Sequence, residues 1–254
     1  MTVTTLSKRA IVRLNPAAAN APQGSEEYAP PEDVRGFVQG LVTNDVSAAL
    51  PAYAALLSAQ GKMMFDFFVW DGGDGAVLLD CEAGVADDLV RRLSLYRLRR
   101  KIEIARDDTL AALWSVDGFE GSSPDPRLAQ LGHRAIGKAG AKPAGDDQYL
   151  ANRLAHGVPE GCGEMGDILW LETNAIELNG VSFEKGCYIG QENTARMNWR
   201  SKVNRRLVVV PLGQSAEKRQ KAAYPQLALA VDHLRVSDLD PASLPAWQAA
   251  GITQ

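Results

Sequence analysis

The sequence predicts an α+β fold, because strand-like and helical runs are both present without a regular β-α-β alternation between them. Two stretches carry that reading. Tyr53 to Ser58 and Met63 to Trp70 are apolar and aromatic, and Ala59-Gln60-Gly61-Lys62 joins them as a hairpin. From about Val85 to Arg100 the pattern is helical: Asp87 and Asp88 stand at the start and basic residues crowd the end, the order that suits the helix dipole. Leu89, Leu93 and Tyr96 then form one buried stripe. A chain of 254 residues with 46% hydrophobic residues can build a real core, in one large domain or two.

The remaining elements follow in order. Ala10 to Leu14 has strand character, and Asn15 to Pro31, rich in Ala, Pro, Gly and Glu, reads as a loop or insertion. Pro31-Glu32-Asp33 opens a helix running through Gly40, which Asn44-Asp45 ends. Thr43, Asn44 and Asp45 suit either a polar cap or a ligand contact. Asp66 is the one charge in the second hairpin strand, between Phe65 and Phe67. It needs a partner if it faces inward, and period two equally allows it to face out. The turn Asp71 to Gly75 leads to a third strand, Ala76 to Asp80. Strands Ile102 to Ala105 and Leu110 to Val116, a loop from Asp117 to Arg127, and a strand Leu131 to Ile136 come next. A helix from Asp146 carries Tyr149, Leu150, Arg153 and Leu154, and Ala175 to Gly180 reads as a short helix stopped by Asn179-Gly180. The tail offers strands Leu207 to Pro211 and Ala228 to Val236, with a helical-looking Ala216 to Ala223 between them. A boundary between 204 and 205 separates this tail from the main body.

Chemistry concentrates between Val181 and Arg196, where a cysteine, a lysine, two glycines, an amide, a carboxylate and a guanidinium stand close together. Gly186 and Gly190 bracket a tight loop that feeds a helix from Gln191 to Asn198, with Glu192 and Arg196 on one face. A helix N-terminus favours an anion or a thiolate. In an extended loop Lys185 and Cys187 project to the same side, and an ammonium beside a thiol lowers its pKa. The same spacing also suits a structural thiol buried between Phe183 and Tyr188.

The stretch Lys185-Gly-Cys-Tyr-Ile-Gly-Gln-Glu-Asn-Thr-Ala-Arg196 resembles the signature of the YgfZ-type folate-binding proteins, relatives of the glycine cleavage aminomethyltransferase (T-protein) that assist iron–sulfur cluster assembly. Phe37 to Val46, Ala59 to Lys62 with Phe65-Asp66-Phe67, Tyr96 to Arg99 and Gly157-Val-Pro-Glu160 resemble further motifs, so the similarity covers roughly residues 6 to 210. The resemblance implies interleaved α/β subdomains around a central opening for tetrahydrofolate or a derivative, with a shortened C-terminal β-barrel-like segment. It implies that Cys187 and Lys185 are catalytic, and that Asp66, Asn44, Asn174, Tyr188, Gln191, Glu192 and Arg196 bind folate. By its residues alone, Arg97 to Lys101 reads as a solvated face, and it also suits the anionic glutamyl tail of a folate or a short stretch of RNA. T-proteins carry a paired Asp-Asp in the hairpin, and here the first position is Phe65, which disfavours the alternative of a one-carbon transferase or demethylase. Implied partners are cluster assembly proteins or cluster-containing clients, with support of tRNA modification among the consequences.

Charge and cysteine content set the outer bounds. A net charge of −4 argues against a bulk electrostatic grip on nucleic acid, and no apolar run approaches the ~20 residues of a membrane span. No direct nucleic-acid or membrane partner is therefore expected. Cys81, Cys162 and Cys187 form no C-x-x-C pair, so neither a disulfide framework nor a resident metal site is indicated. A reducing cytoplasmic setting fits, with the mitochondrial matrix as the alternative.

Overall fold

The computed structural model describes residues 2–17, 31–200 and 203–252. In chain order these form β1 (Thr4–Thr5), β2 (Arg9–Pro16), α1 (Val34–Gln39), β3 (Ala52–Leu57), β4 (Met63–Asp71), β5 (Val77–Glu82) and α2 (Ala86–Arg97). There follow β6 (Ile102–Arg106), β7 (Leu110–Ser115), β8 (Ser123–Pro124), β9 (His133–Lys138), α3 (Asp146–Ala155) and α4 (Cys162–Met165). The last elements are α5 (Gln191–Arg200), β10 (Arg205–Pro211), β11 (Gln220–Tyr224), β12 (Leu229–Arg235) and α6 (Ala246–Ile252). The α+β expectation holds. Most of the Asn15 to Pro31 loop lies outside the described residues.

Three antiparallel sheets organise these elements, in the orders β3-β4-β5-β2-β6, β1-β7-β9-β8 and β10-β12-β11. The five-stranded sheet is buried on both faces, so β4 reads as a continuous apolar run. Phe65, Phe67 and Val69 point to a core shared with Val34, Phe37 and Val38 of α1 and Leu89 and Leu93 of α2. Phe68 and Trp70 point to the opposite core, with Trp114, Tyr149, Trp170 and, from the C-terminal sheet, Leu207 and Val231. By that alternation Asp66 belongs to the second face.

Two predicted helices are replaced by other structures. At Ala175 to Gly180 the chain makes one turn: Gly180 N–H reaches Ala175 O (2.7 Å), Asn179 N–H reaches Ile176 O (3.1 Å), and Asn179 is left-handed. This is the helix-ending half of the predicted motif without a helix behind it. At Ala216 to Ala223, Asp232 captures both Ser215 Oγ and Ala216 N–H (2.7 Å each) and a 3-10 turn follows. The rest pairs with β12 as β11, a case of sheet pairing overriding helix propensity. Helix α2 stops at Arg97, because Leu98 leaves the helix with φ 50°.

Candidate functional site

The signature loop is strapped to the fold at both ends. On its approach, Thr43 Oγ1 donates to Gly180 O (2.7 Å) and Ser182 N–H donates to Thr43 O (3.1 Å). Ser182 Oγ then accepts from Lys185 N–H (3.2 Å), folding the chain so that the lysine turns inward. Its ammonium donates to Gln39 O and Val42 O, each at 2.5 Å, at the carbonyl end of α1. It also lies 5.1 Å from the centre of the Tyr188 ring. Burial lowers the Lys185 ammonium to about 8, with Asp45 opposing that shift. On the far side Gly190 has φ 79°, and a Cβ there would stand 2.5 Å from Ser58 O. Glycine is required at this contact. Asn193 Nδ2 donates to Gln60 O (2.5 Å), tying α5 to the hairpin turn.

Between the straps, Gly186 and Cys187 are exposed while Lys185 and Tyr188 are buried. The thiol is therefore presented, not packed between Phe183 and Tyr188. The expectation that Lys185 activates it is corrected by this geometry, since the ammonium is engaged by α1 carbonyls and acts as an anchor. The other two thiols are in different environments. Cys81 is buried and Cys162 half-buried, with its Sγ donating to Met64 O (3.2 Å). Burial pushes each of them up to about 12, and for Cys162 the carboxylates of Asp66 and Glu82 add to the effect. Among the described residues no group of three or more His, Cys, Asp or Glu is placed to hold a metal ion.

Asp66 faces inward and is buried. Its Oδ2 accepts from Tyr53 OH (3.1 Å), while Oδ1 has no partner. Nearby lies a buried ionic cluster that sequence reasoning missed. Arg9 donates to Asp80 (2.7 Å) and Glu160 (3.2 Å), Arg127 to Asp125 (2.8 Å) and Glu160 (2.7 Å), and Arg134 to Asp80 (2.7 Å) and Asp125 (3.0 Å). Tyr149 OH accepts from Arg127 (2.8 Å) and Arg134 (2.5 Å) and donates to Glu160. Phe68 lies under all three guanidinium groups, at 3.9 to 5.3 Å. Three guanidinium groups thus meet three carboxylates, and Asp66 is the fourth carboxylate, with none of its own. Desolvation raises it to about 6, against the pull of Arg9 and Arg127. An arginine within strand β9 and the Asp125-Pro-Arg127 spacing were the available signals, but neither names its partners.

The residues expected to hold folate do not converge. Asn44 Nδ2 donates to Tyr53 O (2.8 Å) and Asn179 O (2.7 Å), and its Oδ1 accepts from Asp45 N–H (2.9 Å), so the side chain is a loop clamp. Asn174 is left-handed and fully buried, donating to Leu207 O (2.9 Å) and accepting from Gln248 (3.3 Å). Glu192 and Arg196 line a shallow hollow on α5 with Ala195 and Trp199, and Gln191 opens that helix. Tyr188 packs in the core behind the loop. A separate cavity of about 190 Å³ is lined by Arg9, Glu82, Tyr149, Arg153, Glu160 and Tyr224 among others. Phe67 pairs with Cys81, which sets Asp66 across from Glu82, a residue of the cavity wall; Asp66 itself does not line the cavity. Of the expected folate ligands, Asp66 Oδ1 and Tyr188 OH are buried without a hydrogen-bond partner.

Among curated proteins, the chain is similar to the mitochondrial iron–sulfur cluster assembly factor IBA57 of Mus musculus, 34% identical over 223 residues, and of Homo sapiens, 32% over 222. The alignments cover 71% and 70% of this chain. This chain is a homologue of the IBA57 assembly factors. It spans about three fifths of the length of these two relatives, at 62% and 61%. The IBA57 homologue of Phaeosphaeria nodorum is 32% identical over 225 residues, covering 76% of this chain and 55% of that protein. No family model matches the chain. The crystal structure of the glycine cleavage system aminomethyltransferase T from Bartonella henselae superposes with a TM-score of 0.62 at 10% identity, covering 93% of this chain and 78% of that one. The chain therefore has the aminomethyltransferase fold.

Proposed function

We propose that this protein serves iron–sulfur cluster assembly or repair, and that Cys187 is the group that acts. The observation that carries the reading is the exposed thiol, held at the apex of a loop whose two ends are strapped to α1 and to the β3–β4 hairpin. A positioned thiol can give one ligand to a cluster carried by a partner, releasing its proton to solvent; a lone thiolate cannot hold a cluster unaided. Cluster assembly proteins or cluster-containing clients are the partners. The relatives' names favour the mitochondrial matrix alternative and lend no support to the cytoplasmic one. Tetrahydrofolate or a derivative is proposed as a second ligand, which would supply one-carbon or reducing chemistry when bound. Asp66 Oδ1 would orient it, with Glu82 at the cavity wall beside it. The transferase alternative is weakened by Phe65, which is buried against α1 and α2 where the T-protein pair has its first carboxylate.

The test separates the thiol from the fold. Cys187 should alkylate fastest of the three cysteines under native conditions, and Cys187→Ala should keep its melting temperature while failing to restore cluster-enzyme activity in cells lacking the protein. Restoration by Cys187→Ala would remove the thiol from the mechanism. The protein purified without oxygen should contain no stoichiometric iron or acid-labile sulfide.

A further inference from the structure

The end of α2 presents a surface that the thiol loop and the buried cluster leave unused. Residues 91 to 101 contain six cations, Arg91, Arg92, Arg97, Arg99, Arg100 and Lys101, and no acid. Within this run Leu95 is 66% and Leu98 is 83% exposed, two large apolar side chains left open by the described residues. Leu98 also has φ 50° and ψ −114°, a conformation that side-chain-bearing residues rarely adopt. A strained, exposed leucine at a turn is out of keeping with a merely solvated face. Four of the cations are engaged: Arg91 with Asp88, Arg92 over the Tyr96 ring, Arg97 with Ile102 O, and Arg100 with Glu32. Arg99 and Lys101 are exposed beside the leucines.

We propose that this corner docks on the surface of an anionic phospholipid bilayer, with Leu95 and Leu98 entering the interface and Arg99 and Lys101 against the headgroups. Apolar side chains ringed by cations suit that boundary. No described helix is long and apolar enough to cross a membrane, so the contact is peripheral. Single-stranded RNA fits less well. It is gripped by exposed aromatic faces, and the one aromatic here, Tyr96, is half-buried under Arg92.

Cosedimentation of the full chain with vesicles tests this. At low salt the protein should pellet with phosphatidylcholine–phosphatidylglycerol vesicles and not with phosphatidylcholine alone, and added salt should release it. The double variant Leu95→Ser, Leu98→Ser should lose about tenfold or more in vesicle affinity, with an unchanged thermal melt. Arg99→Gln with Lys101→Gln should weaken binding as well. Failure to pellet with the anionic vesicles at low salt would overturn the proposal. So would wild-type vesicle binding by the leucine variant, or loss of oligouridylate or polyglutamate binding in these variants while vesicle binding persists.

Discussion

Asp66 shows how little of a residue's state can be read from its neighbours in sequence. Period two left its direction open; the structure turns it inward, onto the face that also carries Arg9, Arg127 and Arg134, whose charges are already matched. An exposed aspartate titrates near 4, whereas this one is raised to about 6. The folded state therefore holds the proton more tightly between these values. The contribution of Asp66 to stability is full below about pH 4, falls as pH rises through the window, and is lower by roughly 3 kcal/mol above it. Asp66→Asn should flatten that slope and raise stability at neutral pH by about 1–3 kcal/mol, seen as urea midpoints measured from pH 4 to 7. A slope that persists in the variant would assign the titration to another group. Lys185 teaches the same lesson from the other side. Its nearness to Cys187 in sequence suggested activation, and its side chain went to α1.

At the scale of elements, the sequence was most legible where a local signal was strong. The hairpin followed from its two apolar and aromatic runs and the turn between them, and α5 from its helical composition after Gly190, with bounds within two residues of those expected. Ala216 to Ala223 failed because its fate is decided by Asp232 and β12, which no local pattern reports. The loop around Cys187 depends on Gly190 in both conformation and contact. Gly190→Ala would force a left-handed alanine into the carbonyl of Ser58 and should destabilise the protein by about 2–4 kcal/mol. Thermal denaturation measures this. Alkylation of Cys187 should change together with the melt; a variant as stable as the parent would show that the hairpin yields to the loop.

The buried ionic cluster belongs to the whole molecule. It joins β2 and β5 of the largest sheet to β9 of the second, to α3, and to the segment at Glu160, and Arg9 and Glu160 are 151 residues apart. Such a set is invisible in sequence, because each member reads alone as a surface charge. Arg134→Met would leave Asp80 and Asp125 each short of one guanidinium in the interior and should cost about 3–5 kcal/mol. Arg134→Met combined with Asp80→Asn should recover part of that loss, as a double-mutant cycle on chemical denaturation would reveal. Additive losses would mean that the two residues stabilise the fold separately.

The inward turn of Lys185 also sets an order in time. Its bonds to Gln39 and Val42 close loops of 146 and 143 residues, so the end of α1 leaves the ribosome long before the ammonium that will satisfy its carbonyls has been made. Contacts of such range form late, after the local hairpin has reduced the search. Until then Cys187 has no fixed address. The thiol is put on display only when most of the chain is already in place, and a fragment ending before the signature would carry the two less accessible cysteines and neither the loop nor its reactive group.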